Sequence, residues 1–355
     1  MIKLRSIEEG GHVQEVVTVR WFEELSLDEV NDICVVFNEA FIRASKAGIA
    51  LYRRPEEWLE RYGSEPRVEV ALLKVEGRVV ATTVLTFKDV VVEGDHFSSC
   101  FIDDVAVLPH HQGRGYGRLV FDRALKRVEE EKVDFTMLYT ARGSIAWNMY
   151  RRRGFKDIFD VGIGIFIADK TAFLGLLPRW LDRVLVRFVS FKPRVEEHGK
   201  LISVDDAIRN YADLGPTLSL YSSLSEKRLR RKHAIAEGIQ CTATLSLRDY
   251  HNIKGQVFHV GLISDVVFSE DMKASSLASL ILYLIHKAKN HGLPLIVAPS
   301  SSHILSEALK LSGFKVVKGG CAMILTENKE VLRRIEEAHN KGYLFTPAEH
   351  ILGEY

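Results

Sequence analysis

Residues 109–119, PHHQGRGYGRL, place glycines at 113, 115 and 117 between the apolar run CFIDDVAVL and a stretch with helical spacing. Glycine is unfavourable in a helix, so three where one begins imply that something approaches the main chain too closely for side chains. Three kinds of nucleotide-binding loop could meet that description. A P-loop needs GxxxxGK[ST], and no Lys-Ser or Lys-Thr follows here. A dinucleotide fingerprint needs GxGxxG inside a parallel βαβ unit, whereas this loop reads GxGxG after an antiparallel-looking meander. What remains is QxxGxG, as Gln112, Gly115 and Gly117. Physically it is an anion cradle: bare N–H groups at a helix start, where the dipole adds about half a positive charge, face a pyrophosphate.

The neighbouring elements supply the frame. Residues 13–22 read as a strand. Ser26 can cap a helix to about Phe41 with Leu27, Val30, Ile33 and Phe37 on one face, and Pro55 starts a second helix. VEVALLKV, VVATTVLTF and CFIDDVAVL are joined by short polar turns as an antiparallel meander. After the loop come a helix over 115–131, the strand FTMLYT, a helix from Ser144 to Arg153 ended by Gly154, and a strand in KDIFDVGIGIFIA. That mixed order implies an α/β (α+β) fold with a mostly antiparallel sheet flanked by helices.

The second half echoes the first. Aligning Asp104-Val105 with Asp265-Val266 sets Lys273, Ser276 and Ala278 against Gln112, Gly115 and Gly117, and EALKLSGFKVV echoes NMYRRRGFKDI two residues out of register. The chain therefore reads as a duplicated domain whose second glycine loop is eroded. Expected boundaries are 1–168, a linker helix over 169–200, the worn copy over 201–328, and a C-terminal helix and tail over 329–355. In the linker, Arg179, Arg183 and Arg187 recur at helical spacing, read here as a helix packed between domains rather than one lying on a membrane.

Composition bounds the rest. With 355 residues there is room for two cores, and a net charge of +1 offers no global attraction for nucleic acid or acidic lipid. Cys34, Cys100, Cys241 and Cys321 are far apart, which argues against a zinc site and fits a reducing cytoplasm. His110 and His111 have no third ligand, so no metal is expected. The basic run RLRRKH (228–233) lacks interleaved aromatics and reads as a solvated helix, not a nucleic-acid contact.

DDVAVLPHHQGRGYGRL, followed at the right distance by SIAWNMYRRRGF, resembles the GNAT superfamily of acyl-CoA-dependent N-acetyltransferases over about residues 14–168. The resemblance implies a bulged strand splayed from its neighbour, with the pantetheine arm in the gap. Carried across, Val105 N–H would bind the thioester oxygen, and Ala106 and Val107 would lie along the pantetheine. Gln112, Gly113, Arg114, Gly115, Tyr116, Gly117 and Arg118 would surround the pyrophosphate. Tyr150 stands at the general-acid tyrosine, and Ser144 replaces an asparagine that often assists the coenzyme.

The base is less determined by the motif. Alternation along a strand sends Asp103 and Asp104 to opposite faces. Asp103 matches an acidic residue that spermidine/spermine acetyltransferases place beside the acceptor amine, and is the candidate base. The expected activity is direct acetyl transfer from acetyl-CoA to a primary amine, small or polyamine-like, in a cytoplasmic enzyme. Alternatives are a protein lysine or N-terminus as acceptor, or a non-catalytic acyl-CoA sensor or assembly module. The second copy lacks the tyrosine, Leu309 standing there with the two-residue slip.

Overall fold

In the computed structural model, which describes residues 2–3, 15–45, 48–171, 192–214, 220–221, 226–269 and 271–341, the elements expected before residue 168 form close to their expected bounds. The first half runs β1 (Ile2–Lys3), β2 (Glu15–Trp21), α1 (Leu27–Ala44), β3 (Ile49–Leu51) and α2 (Pro55–Tyr62). The meander follows as β4 (Arg67–Val75), β5 (Arg78–Val92) and β6 (Asp95–Val107). After the loop come α3 (Tyr116–Glu131), β7 (Phe135–Thr140), α4 (Ile145–Arg151) and β8 (Lys156–Ile167).

The second half repeats this order, beginning with β9 (Lys200–Leu201), α5 (Val204–Leu214), β10 (Leu220–Tyr221), α6 (Glu226–Arg230) and β11 (Ala234–Gly238). It continues with β12 (Cys241–Asn252), β13 (Val257–Phe268), α7 (Ala274–Asn290), β14 (Leu295–Ser300), α8 (His303–Leu311) and β15 (Lys315–Leu325), before α9 (Lys329–Lys341). The apolar-basic stretch 176–191, with Arg179, Arg183 and Arg187, lies outside the described residues, as does the tail 342–355. Residues 192–199, at the end of the expected linker helix, carry no helix.

Among the described residues all strands join one 15-stranded sheet, parallel only at β6–β7 and β13–β14. The halves complete each other by exchange. β8 pairs with β14, β15 pairs with β7, and β8 and β15 pair with each other at the centre. The short strands swap as well: β3 joins β12 and β10 joins β5.

Each face of the first half's sheet has its own core. On one, Val120, Phe121, Ala124 and Val128 of α3 pack on Leu85, Ile102 and Leu138. On the other, Val30, Ile33, Trp58 and Tyr62 of α1 and α2 pack on Val70, Leu72 and Val84. Leu27, expected on the apolar face of α1, is 64% exposed. It occupies the first helical position, ahead of the turns that touch the sheet.

The start of α1 is a capping box. Ser26 Oγ accepts from Glu29 N–H and the Glu29 carboxylate accepts from Ser26 N–H at 2.7 Å. Lys74 and Arg20 also reach that buried carboxylate, at 2.7 and 3.0 Å. Burial alone would raise its pKa, but the hydrogen bonds from Lys74 and Ser26 outweigh it and hold Glu29 at about 2. A pKa depressed on folding stabilises above the unfolded value and is lost as pH falls through the folded one. Glu29→Gln is therefore expected to cost on the order of 3 kcal/mol at neutral pH and progressively less toward pH 2. Urea denaturation at both pH values measures the difference.

Candidate active site

β6 and β7 stay in register from Ser99↔Phe135 to Ile102↔Leu138, and no pairing between them is found beyond that among the described residues. Opposite, Thr82 pairs with Ala106 and Val84 with Asp103, so Thr83 faces two residues, Asp104 and Val105. This is a β-bulge, and Asp104 takes φ +48° to make it. Asp is one of the few side chains that tolerates that left-handed region. The extra residue bends β6 away from β7 and opens a gap.

Main-chain direction in the gap follows from one hydrogen bond. Leu108 N–H donates to Val80 O at 2.9 Å, toward β5. Alternation then turns Ala106 toward β5 as well, and aims the main chain of Val105 and Val107 into the gap. Gln112 Nε2 donates to Val107 O at 3.0 Å, tying the loop to the strand end.

The gap leads to α3, whose first turn has no side-chain cap and no acidic residue. Gly113 and Gly115 have φ of +80° and +82°, and a Cβ on either would meet nothing within 4 Å. Their glycine identity is demanded by backbone angle rather than by crowding within the protein. Gly117 differs, because a Cβ there would stand 3.2 Å from Val107 Cγ2. It allows α3 to approach β6. Arg114 and Arg118 are exposed beside this helix start, and Tyr116 is buried with its ring 6.0 Å from that of His111.

Tyr150, 1% exposed, lies in the α3-side core that also holds Ile102 and Leu138, the last pair before the gap. Its ring is 4.8 Å from Phe121 and 6.1 Å from Phe155. Ser144 Oγ accepts from Trp147 N–H at 3.0 Å, so this hydroxyl caps α4.

Asp103 and Asp104 do not go to opposite faces. The bulge interrupts alternation, and both carboxylates meet α2. Tyr62 OH and Trp58 Nε1 donate to Asp104 Oδ2 at 2.9 and 3.3 Å, and Arg53 Nη2 lies 3.4 Å from Oδ1. Arg61 Nη2 is 3.9 Å from Asp103 Oδ2. Asp103 is 3% exposed and Asp104 0%. Asp104 is thus an anchor for α2. Trp58, Arg61 and Tyr62 escaped the reading of the sequence; their helical spacing puts them on one face, but nothing local says that face meets acids some 40 residues away.

The second half reproduces the bulge. Thr242 pairs with Val267 and Thr244 with Ser264, leaving Ala243 against Asp265 and Val266, with Asp265 at φ +49°. Here Arg228 and Lys232 hold the carboxylate at 2.9 and 2.6 Å, and Thr244 donates at 2.9 Å. The run 228–233 is therefore not a solvated helix: Arg228 and Lys232 are buried in pairs within the protein. α7 begins without a glycine, with Lys273 at its cap position.

A cavity of about 300 Å³ lies elsewhere, between α1 and the β4–β5 turn, lined by Asp32, Val35, Glu76, Val79, Leu108 and His111. It touches the glycine loop only through Leu108 and His111 and is not the gap. Among the described residues no cluster of three metal-ligating side chains occurs, and no helix is long and apolar enough to cross a membrane.

Residues 22–158 match the family described as acetyltransferase (GNAT) domain. No curated protein sequence matches the chain. Among solved structures, Saccharomyces cerevisiae N-myristoyltransferase with bound myristoyl-CoA and inhibitors is similar at TM-score 0.65 and 11% identity, over 92% of this chain and 82% of that one. A putative acetyltransferase from Pyrococcus horikoshii is similar at TM-score 0.58 and 16% identity, over 96% and 98%. At these identities the likenesses speak for the fold: a large, mostly antiparallel sheet flanked by helices. The bulged strand, the gap and the glycine loop all fall within residues 22–158, the part of the chain that matches the acetyltransferase (GNAT) domain family.

Proposed function

We propose that the protein is an acetyl-CoA-dependent N-acetyltransferase acting on a primary amine, with its site in the first half and the second half a worn GNAT copy. The observation that carries this reading is the gap: the main chain of Val105 and Val107 lies on a stretch of β6 that β7 does not pair, and that edge leads to the uncapped start of α3. The pantetheine extends along that edge as an added strand, Val105 N–H polarises the thioester oxygen, and N–H groups of 113–117 receive the pyrophosphate. The amine attacks the thioester carbon and loses its proton to Asp103. The C–S bond breaks, and the leaving thiolate takes a proton from Tyr150.

Packing supports a short acyl group. Where β6–β7 pairing ends, Phe101 and Tyr139 belong to one buried core and Ile102, Leu138 and Tyr150 to another. A long chain would have to displace these buried side chains. The burial of Asp103 favours a second reading, a coenzyme sensor that performs no transfer, and turnover decides between the two.

Native mass spectrometry is expected to find coenzyme retained, and calorimetry to find acetyl-CoA bound far more tightly than myristoyl-CoA. Arg114→Glu, which leaves the glycine geometry intact, is expected to weaken acetyl-CoA binding about tenfold or more and to flatten its salt dependence. Tighter binding of myristoyl-CoA removes the acetyl assignment. No binding of either coenzyme removes the whole reading, and binding with no thiol release across a panel of amines and peptides leaves the sensor.

A further inference from the structure

The run at 228–233 makes contacts that cross from the second half to the C-terminal end of α2. Arg228 bridges the halves with one side chain: Nη1 is 3.3 Å from Glu65 and Nη2 2.9 Å from Asp265. Arg231 donates to Glu60 O at 2.9 Å and to Ser64 Oγ at 3.2 Å, and Lys227 donates to Gly63 O. Glu60 lies in the last turn of α2, where carbonyls have no partner within the helix and cations are favoured by the dipole. α6 thereby caps α2 from the other half of the molecule. Lys88 of β5 completes the join, 3.6 Å from the other Glu65 oxygen.

The sheet-facing side of α2 is what covers Asp103 and Asp104, through Arg61 on the first and Trp58 and Tyr62 on the second. An acceptor amine has no path to the Asp103 carboxylate while α2 lies on it.

We propose that α6 is a clasp: it holds α2 shut over the acid pair, and an acceptor enters when α2 comes off α6. The catalytic meaning of this rests on the reading of Asp103 as the base; the clasp itself does not. Arg228 is then a positioning residue, fixed to Asp265 and acting through Glu65 on the helix that carries Arg61. A lysine could not span both acids, because a single ammonium lacks the two-pronged reach of a guanidinium. In this arrangement the worn bulge of the second half serves the site of the first.

Local opening of α2 can be read without knowing the acceptor. Cys34 shares a core with Trp58 and Tyr62 and is 3% exposed, burial pushing its thiol up to about 12. Amide exchange over 55–66 and labelling of Cys34 by a small thiol reagent, located by peptide mass, both report that core opening. Glu65→Gln and Arg231→Ala are each expected to speed both signals about tenfold or more, with α3 amides and acetyl-CoA affinity unchanged within about twofold. Arg230→Ala, whose side chain is exposed and pairs with Glu226 inside α6, is expected to change neither signal.

Should Glu65→Gln fail to fold, Arg231→Ala decides alone. Unchanged exchange and labelling in a folded variant, or acceleration spread evenly over the whole chain, overturns the clasp. A failure of the acyltransferase reading looks different: acetyl-CoA does not bind the unmodified protein, whatever α2 does.

Discussion

Asp104→Ala is expected to destabilise the protein by about 3–5 kcal/mol, because it removes one partner of a buried ion pair and leaves the other charged in the interior. Arg53, itself buried, has its guanidinium 3.4 Å from this carboxylate. Tyr62 and Trp58 lose their acceptor at the same time, and each unsatisfied donor carries its own desolvation cost. Two companion substitutions separate charge from backbone. Asp104→Gly relieves the φ of +48° but still strands Arg53, and is expected to be nearly as damaging as alanine. Asp104→Asn keeps an acceptor oxygen and a side chain that tolerates φ > 0, and is expected to cost roughly half as much. Urea denaturation of the three variants gives the order directly. If alanine stays within about 1 kcal/mol of the parent, Asp104 is not the anchor described above.

Local signals were legible: Ser26 caps α1, Pro55 starts α2, and the QxxGxG loop leads into α3. These depend on residues within a turn or two of each other. The bulge is hidden because alternation holds only along an unbroken strand: it predicts opposite faces for Asp103 and Asp104, whereas both meet α2. Chain-wide pairing was hidden for a different reason. Nothing in the alternation of KDIFDVGIGIFI says that its edges will be β14 and β15 of the other half rather than β7 of its own. The buried role of Arg228 and Lys232 is illegible in the same way, since a basic run looks solvated until the acids that meet it, Glu65 and Asp265, are brought in by the fold. Even the glycines divide: at 113 and 115 the protein's own demand is a positive φ, and only at 117 is it a close approach.

Tyr150→Phe is expected to lower kcat by about 10²–10⁴ while leaving acetyl-CoA affinity and thermal stability close to the parent's. The separation follows from where the ring lies. Its packing against Phe121 and Phe155 survives the substitution, as does the apolar wall beside Ile102 and Leu138, because only the hydroxyl is removed. A thiolate leaving without a proton donor must be expelled as the free anion, so the deficit belongs to the step that breaks the C–S bond. KM for the donor should barely move, since an interaction made only in the transition state lowers kcat and kcat/KM together. Tyr150→Ala is the contrasting case: it empties part of a buried aromatic cluster and is expected to cost about 3–5 kcal/mol of stability as well. If the phenylalanine variant turns over at the parent rate, Tyr150 is a packing residue and the proton must come from water or from a group outside α4. If it loses coenzyme affinity as steeply as rate, the hydroxyl binds the donor in the ground state and is not the acid.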